Sequence, residues 1–378
     1  MKKPDRPSFD GARRIVVKIG SRALVRRDGH LDPRRIASLV HSIAALHAEG
    51  REVLLVTSGA IAVGLQALGY RRRPTDLPSL QMAAAVGQSR LMSTYADLFA
   101  RHRILAGQVL LTHDDLRDRR RHLNALATFR KLLERRVVPV INENDAVSCE
   151  EIRFGDNDAL GSRIAILLEA DLLVFLSTVD GFYAPSPSGR NRRVSCLPVP
   201  GPAELAAAQG KGSPFSTGGM ASKLQSAIEA TRTGIPVVIA NGRKDGILAR
   251  ILAGGDVGTL IPPSPPSPAD APTRRRLWVA YFHHPHGRLV VDSGAADALR
   301  AKGKSLLPVG IRAVEGDFAA GDLVRVLAPD GREIARGLAE HSAAELRLLL
   351  GRPSRAIRDL LGPDAPPEAI HRDNLVLL

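Results

Sequence analysis

Short apolar runs alternate with longer amphipathic stretches over roughly the first 260 residues, and this alternation predicts strands followed by helices. Arg14 to Lys18 (RIVVK), Glu52 to Thr57 (EVLLVT), Ile104 to Leu111, Val137 to Asn142, Leu172 to Leu176 (LLVFL) and Pro236 to Ala240 read as strands. Each is a near-continuous apolar run, as expected of strands buried on both faces of a largely parallel sheet. Between them lie helical patterns. Asp32-Pro33 opens one, with Asp as N-cap and Pro in the first turn, and Ile36, Leu39, Val40 and Ile43 follow at helical spacing until Gly50. Further helices are expected from Ala60 to Gly69, Ser79 to Ala100, Arg119 to Glu134, Asn157 to Leu168, Met220 to about Thr233 and Lys244 to Ala253. Thr112 to Asp115 has capping-box spacing, with Asp in place of the usual Glu, and is expected to start the Arg119 helix. The fold class that follows is α/β, a three-layer α/β/α sandwich around a mainly parallel sheet.

At Ile261 the texture changes. IPPSPPSPADAPTRRR is a Pro/Ser linker, extended and semi-rigid. The expected organisation is a domain over 1–262 (1–11 flexible), a linker over 263–273 and a second domain over 274–378. In the second domain, Leu277 to His283, Gly287 to Val291, Leu323 to Leu327 and Ile334 to Gly337 are punctuated by Gly-Asp turns. They predict a small β-barrel with a helical tail.

Composition narrows the class. Apolar residues make up 44% and charged residues 24% of the 378, ordinary for a globular protein. No apolar run approaches the ~20 residues needed to span a membrane, and the first apolar run is too short for a signal peptide, so a cytoplasmic protein is expected. Cys149 and Cys196 are far apart and carry no readable zinc or disulfide pattern. The formal net charge is +14, mostly arginine in scattered short runs. From Thr273 onward there are 16 Lys/Arg against 13 Asp/Glu, which argues against a nucleic-acid footprint on the second domain.

The densest polar chemistry lies in Val137 to Ser162, VVPVINENDAVSCEEIRFGDNDALGS, where a buried strand ends and the next helix starts. In open α/β sheets ligands bind at such edges. Asp145, Asn157 and Asp158 in this stretch fit a metal cluster, an acid/base pair or an amine-binding pocket; EF-hand spacing is absent. Lys18 ends the first strand before Gly20-Ser21, and Lys223 follows the Gly-rich turn Thr217-Gly218-Gly219-Met220-Ala221-Ser222. A turn of this kind feeding a helix presents free N–H groups to an anion, with a lysine to neutralise it, though the Walker A spacing is not met. Ser58, after strand EVLLVT, reads as an N-cap, a carboxylate contact or, without GxSxG, a nucleophile. His371-Arg372-Asp373-Asn374 and the His283, His284, His286 group are accidental matches to a kinase loop and a metal site.

Lys18-Ile19-Gly20-Ser21, Thr57-Ser58-Gly59-Ala60, Ile141 to Val147 (INENDAV), Gly155 to Asp158 (GDND) and Thr217 to Met220 (TGGM) occur in this order. With AAVGQSR (Ala84 to Arg90) and Val138-Pro139-Val140, they closely resemble the amino acid kinase family in its bacterial, glutamate-phosphorylating branch. The resemblance covers nearly the whole chain and makes the second domain PUA-like. It implies transfer of the γ-phosphoryl group of ATP, with Mg²⁺ held by phosphates and water rather than by a protein metal motif, to the side-chain carboxylate of L-glutamate. By resemblance, Lys18 and Lys223 clamp the transferred group, Asp158 aligns them, and Asp145, Asn157 and Ser58 line the glutamate pocket. The nucleotide would lie over Gly20, Ser177, Thr178 and Thr217 to Lys223. The family usually has Thr-Asp at Ser177-Thr178, so Asp180 becomes the substitute acidic group there. The resemblance also implies proline feedback, a homo-oligomer (a tetramer), and an association with glutamyl phosphate reductase. Aspartate, acetylglutamate and nucleoside monophosphates are the alternative acceptors within the family, and RNA binding by the PUA-like domain is the alternative of another class.

Overall fold

The structure is a computed structural model that describes residues 6–26, 30–147, 157–184, 191–198, 200–208, 219–263, 285–302, 304–352, 355–363 and 365–377. Cys149, Gly155, Asp156, Thr217, Gly218, most of the Pro/Ser linker, the expected strand from Leu277 to His283, and His283 and His284 lie outside those residues. The chain divides into two compact units, Met1–Ser267 and Pro268–Leu378.

The first unit is built on a seven-stranded sheet. Its strands are β1 (Arg14–Ile19), β2 (Glu52–Val56), β3 (Ala106–Leu111), β4 (Val138–Glu143) and β5 (Leu172–Ser177). After a two-stranded ladder of β6 (Tyr183–Ala184) and β7 (Arg192–Arg193) come β8 (Val237–Asn241) and β9 (Thr259–Ile261). The order is β3-β4-β2-β1-β5-β8-β9, parallel throughout except for the antiparallel β8–β9 pair. β1 is central, with β2 on one side and β5 on the other, and the chain's crossovers run outward from it in opposite directions. That reversal makes the carboxyl ends of β1 and β5 the edge where a ligand crevice forms. Val16, Val17, Leu54, Leu55, Leu173 and Val174 are fully buried, as their unbroken apolar runs predict.

Helices cover both faces. Asp32 caps Pro33–Ala48 by accepting from the Arg34 amide, and Gly50 leaves that helix at φ +86°. Helices Ala60–Ala67 and Leu77–Ala100 pack at backbone distance. A methyl on Gly64 would stand 1.7 Å from the Ala83 carbonyl oxygen, and one on Gly87 1.8 Å from that of Ala60. Only glycine permits this approach. Tyr95 OH, 2.8 Å from Thr57 Oγ1 and fully buried with it, ties the longer helix to the end of β2.

Two expectations need revision. The Thr112–Asp115 capping box exists, but it starts only His113–Arg117; the helix Arg119–Glu134 has its own cap, Asp118, which accepts from the Arg121 amide. The helix expected from Lys244 begins at Ile247, after Gly246 at φ +64°. Ile261, where the Pro/Ser texture begins, ends β9 and so belongs to the sheet.

In the second unit β10 (Gly287–Val291), β11 (Ile311–Gly316), β12 (Leu323–Leu327), β13 (Glu333–Leu338) and β14 (Leu375–Leu377) form a mixed sheet ordered β11-β10-β12-β13-β14. The helices Ala343–Leu349 and Arg355–Leu361 supply the helical tail, after which the chain returns as β14 beside β13. The HRDN stretch is a structural turn: His371 accepts from the Asp373 amide at the start of the 3₁₀ helix Arg372–Asn374. His286 pairs with Asp322 at 3.2 Å.

Candidate active site

Two clusters meet where helix Asn157–Leu167 begins. The first is ionic. Lys18 Nζ lies 2.6 Å from one oxygen of Asp158, and Lys223 Nζ lies 2.8 Å from the other. All three are buried, at 5%, 0% and 6% exposure for Lys18, Asp158 and Lys223. Lys18 stands near the end of the central strand, in register with Val56 and Phe175. Lys223 is in the first turn of helix Met220–Arg232, whose N-cap is Gly219. Ser222 Oγ adds a longer contact, 3.4 Å, to the Asp158 oxygen facing Lys223. The helices carrying Asp158 and Lys223 are pinned by Ser162 Oγ donating to the Ser226 carbonyl at 2.6 Å.

Burial alone would raise the Asp158 pKa, but the two ammonium groups outweigh it and hold the carboxyl well below its usual range. Two cations against one carboxylate leave a net positive charge in a site shielded from water. Such a site stabilises an anion with little cost of reorganisation. Gly161 completes the cluster: a methyl there would meet Lys18 Cβ at 3.2 Å and Cγ at 3.3 Å.

The second cluster is neutral. Asn157 Nδ2 donates to Ser58 Oγ at 3.0 Å and to Asn142 Oδ1 at 3.1 Å. Asn142 Nδ2 in turn donates to Gln88 Oε1 at 2.8 Å. Asn157 Oδ1 is buried and has no hydrogen-bond partner among the described residues. Ser58 is not the N-cap; Gly59, at φ +111°, is. Asp145 lies beyond the end of β4, half-buried, and burial pushes its carboxyl up to about 6 while Arg73 pulls it down. Asn142 and Gln88 had no assigned role in the sequence reading. Asn142 stands in the INENDAV run and Gln88 in AAVGQSR, but nothing in the spacing joins the two.

Elsewhere the expected nucleotide contacts are distributed along the same edge. Ser177 ends β5 opposite Asn241, and Thr178 follows it, half-buried. Asp180 accepts from Asn241 Nδ2 at 2.9 Å and pairs with Lys244 at 2.8 Å, in a cavity also lined by Arg193, Arg250 and Gly258. Met220, Ala221 and Ser222 form the first turn of the Lys223 helix. The Gly20 amide donates to the Leu176 carbonyl at 3.2 Å and extends the β1–β5 ladder, so that N–H is engaged within the sheet.

Residues 13–241 match the amino acid kinase family. The chain belongs to this family. Residues 287–361 match the PUA domain. Relatives resemble this amino acid kinase over its full length. A glutamate 5-kinase of Chromohalobacter salexigens is 48% identical over 99% of this chain and 98% of its own. One of Pseudomonas fluorescens is 47% identical over 99% of this chain and 100% of its own. Among solved structures, a carbamate kinase from Giardia lamblia overlays 68% of this chain and 100% of its own, at 17% identity and a TM-score of 0.49. No helix among the described residues is long and apolar enough to cross a membrane.

Proposed function

We infer that this kinase phosphorylates the γ-carboxylate of L-glutamate with ATP, giving glutamyl 5-phosphate and ADP, the first step of proline synthesis, in the cytoplasm. The observation that carries the reading is the junction at Asn157-Asp158. One side chain joins a cluster suited to an amino acid, and its neighbour joins a buried pair of lysines suited to phosphate.

The chemistry needs little beyond this. A carboxylate is already a nucleophile, so no general base is required; what must be overcome is the approach of two anions. The glutamate γ-carboxylate oxygen attacks the terminal phosphorus in line. The bond to the departing ADP oxygen breaks, and its electrons stay with ADP. Lys18 and Lys223, aimed by Asp158, neutralise the oxygens of the group in transit. Both Asp158 oxygens are already held by ammonium groups, so Mg²⁺ would ride on the nucleotide's phosphates, where it offsets their charge. The N-terminus of helix Met220–Arg232 supplies N–H groups to the same phosphates. On the acceptor side, the Asp145 carboxylate and Asn157 Oδ1 receive the substrate ammonium, and Ser58 donates to its α-carboxylate.

The product is a mixed anhydride that hydrolyses in water, and a glutamyl phosphate reductase that consumes it is the expected partner. Proline, carrying the same α-amino acid end, would compete for the acceptor cluster. A homo-oligomer, a tetramer, completes the expected behaviour. The deciding experiment is ADP release by the full chain with glutamate, aspartate or acetylglutamate as acceptor, with and without proline. Turnover with glutamate is expected, and turnover with aspartate but not glutamate would overturn the reading.

A further inference from the structure

The orientation of three side-chain amides can be derived from one obligatory donor. The Glu143 backbone amide can only donate, and it points at the side chain of Asn142 at 2.9 Å. The Asn142 atom it meets is therefore the oxygen, so the Asn142 nitrogen faces Gln88, and the Gln88 atom 2.8 Å away must be an oxygen. Asn142 Oδ1 also faces Asn157 at 3.1 Å, so the Asn157 atom there must be the nitrogen. That leaves Asn157 Oδ1 as the end turned away. It is buried and unpartnered among the described residues, a state that costs free energy unless a ligand donor satisfies it. The same nitrogen also donates to Ser58 Oγ at 3.0 Å, which fills an acceptor position of that hydroxyl and leaves its hydrogen free to donate elsewhere.

We propose that Gln88 is a positioning residue for the acceptor site, fixing the Asn142 and Asn157 amides so that an acceptor-only oxygen meets the substrate ammonium. The proposal rests on the amino-acid acceptor reading above and assigns the relay that gives that pocket its polarity. Without an acceptor at residue 88, Asn142 Nδ2 loses its partner, and Asn142 is held by the Glu143 amide on its oxygen side alone. An Asn142 anchored on one side no longer fixes the Asn157 amide through their 3.1 Å bond, and an Asn157 free to turn presents its NH₂ to the ammonium. Gln88 holds this arrangement from a half-buried position on helix Leu77–Ala100, next to Gly87, whose lack of a side chain lets that helix touch Ala60. It acts through Asn142 and Asn157.

The test compares the full-length enzyme with Gln88→Met, which keeps length and removes the acceptor, and Gln88→Glu, which keeps an acceptor oxygen. Glutamate KM is expected to rise on the order of tenfold in Gln88→Met, the effect of one lost hydrogen bond, with ATP KM unchanged, and to stay within about threefold of wild type in Gln88→Glu. The decisive readout is discrimination between glutamate and glutarate, which lacks the amino group. The relay predicts that kcat/KM for glutamate over glutarate shrinks by about tenfold in Gln88→Met alone; a packing role would move Tm without moving that ratio. An unchanged ratio in Gln88→Met, or a Gln88→Glu as impaired as Gln88→Met, overturns the proposal. If Gln88→Met does not fold, Gln88→Glu still decides, because loss of discrimination there is the opposite of what is expected. A wild type that turns over aspartate instead of glutamate refutes the function and not the relay, which the aspartate-to-succinate ratio then reads in the same way.

Discussion

Lys18 Nζ stands 2.6 Å from an oxygen of Asp158, a carboxylate with no exposed surface that has Lys223 on its other oxygen. The pair reaches from the central strand to the first turn of a helix, and it turns an otherwise costly buried charge into a means of aiming two cations. Asp158→Asn removes the charge but keeps the shape. It leaves two ammonium groups buried around a neutral amide, which is expected to cost about 3–5 kcal/mol of stability, read by chemical denaturation. kcat should fall at least ~100-fold. The stability given by the Asp158 charge is present above the unfolded carboxylate pKa and lost as pH falls through the lower folded value. Wild type and Asp158→Asn should therefore converge in stability only in strong acid. The two should share one pH dependence at pH 5–7; equal acid sensitivity below about pH 4 would refute the role assigned to the charge.

Asp145 works the other way. Burial raises its carboxyl to about 6 against the opposing charge of Arg73. A folded pKa above the unfolded one gives stability that is present below the unfolded value and lost as pH rises through about 6. Asp145→Asn should accordingly raise stability at pH 8 by about 1–3 kcal/mol while it raises glutamate KM. In wild type the ionised form binds the ammonium, so glutamate KM should climb about tenfold per pH unit below about 6, with ATP KM flat. Arg73→Met removes the opposing charge and should move that midpoint upward. Steady-state kinetics from pH 5 to 8 check both statements.

The glycine contact between helices Ala60–Ala67 and Leu77–Ala100 makes a sharper structural prediction. In Gly87→Ala the new methyl would overlap the Ala60 carbonyl at 1.8 Å and the Gly64 amide at 2.5 Å, both backbone atoms that cannot rotate away. The helices must part. The expected cost is about 1–3 kcal/mol or more, seen as a fall in Tm of several degrees. Because Ser58 precedes one helix and Gln88 lies on the other, glutamate KM should rise more than ATP KM. A variant with unchanged Tm and KM would mean that the helices do not pack this closely.

Much of the fold was legible because the strands near the centre of a parallel sheet are buried on both faces and so must be apolar throughout. β9 escaped because it is three residues long and antiparallel at the edge, where no such run is required. β14 owes its place to pairing with β13, a relation that no local pattern encodes. In the site, Lys18 and Ser58 were legible as polar residues at the ends of apolar strands, Asn157 and Asp158 at the start of a helix, and Lys223 behind a Gly-rich turn. The Gln88–Asn142 bond was not, since it joins residues 54 apart and depends on which way a mid-helix side chain points. Nor was the use of the Gly20 amide by Leu176, because a Gly-Ser turn after a strand looks the same whether its N–H groups bind a phosphate or a neighbouring strand.

On the proposed reading, Asp180 serves the nucleotide side in place of the acidic residue that the resemblance leads one to expect at Thr178. Hydrogen bonds from Lys244 and Asn241 hold its carboxyl below the usual range, so it is ionised at neutral pH. It thereby ties the segment after β5 to the segment after β8. The pair is half exposed, so its net worth to folding is at most about 1 kcal/mol, and Asp180→Asn should shift Tm by no more than a few degrees. Binding is a different matter. Without the carboxylate, Lys244 and Asn241 lose the partner that fixes them in the cavity that Arg193, Arg250 and Asp256 also line, so these donors are no longer held in place for the nucleotide. ATP KM is expected to rise several-fold in Asp180→Asn while glutamate KM and Tm hold. Lys244→Met should raise ATP KM by a similar factor, and the double variant should add little, because each single change already breaks the same contact. Additive losses, or a rise in glutamate KM instead, would place Asp180 outside the nucleotide's reach.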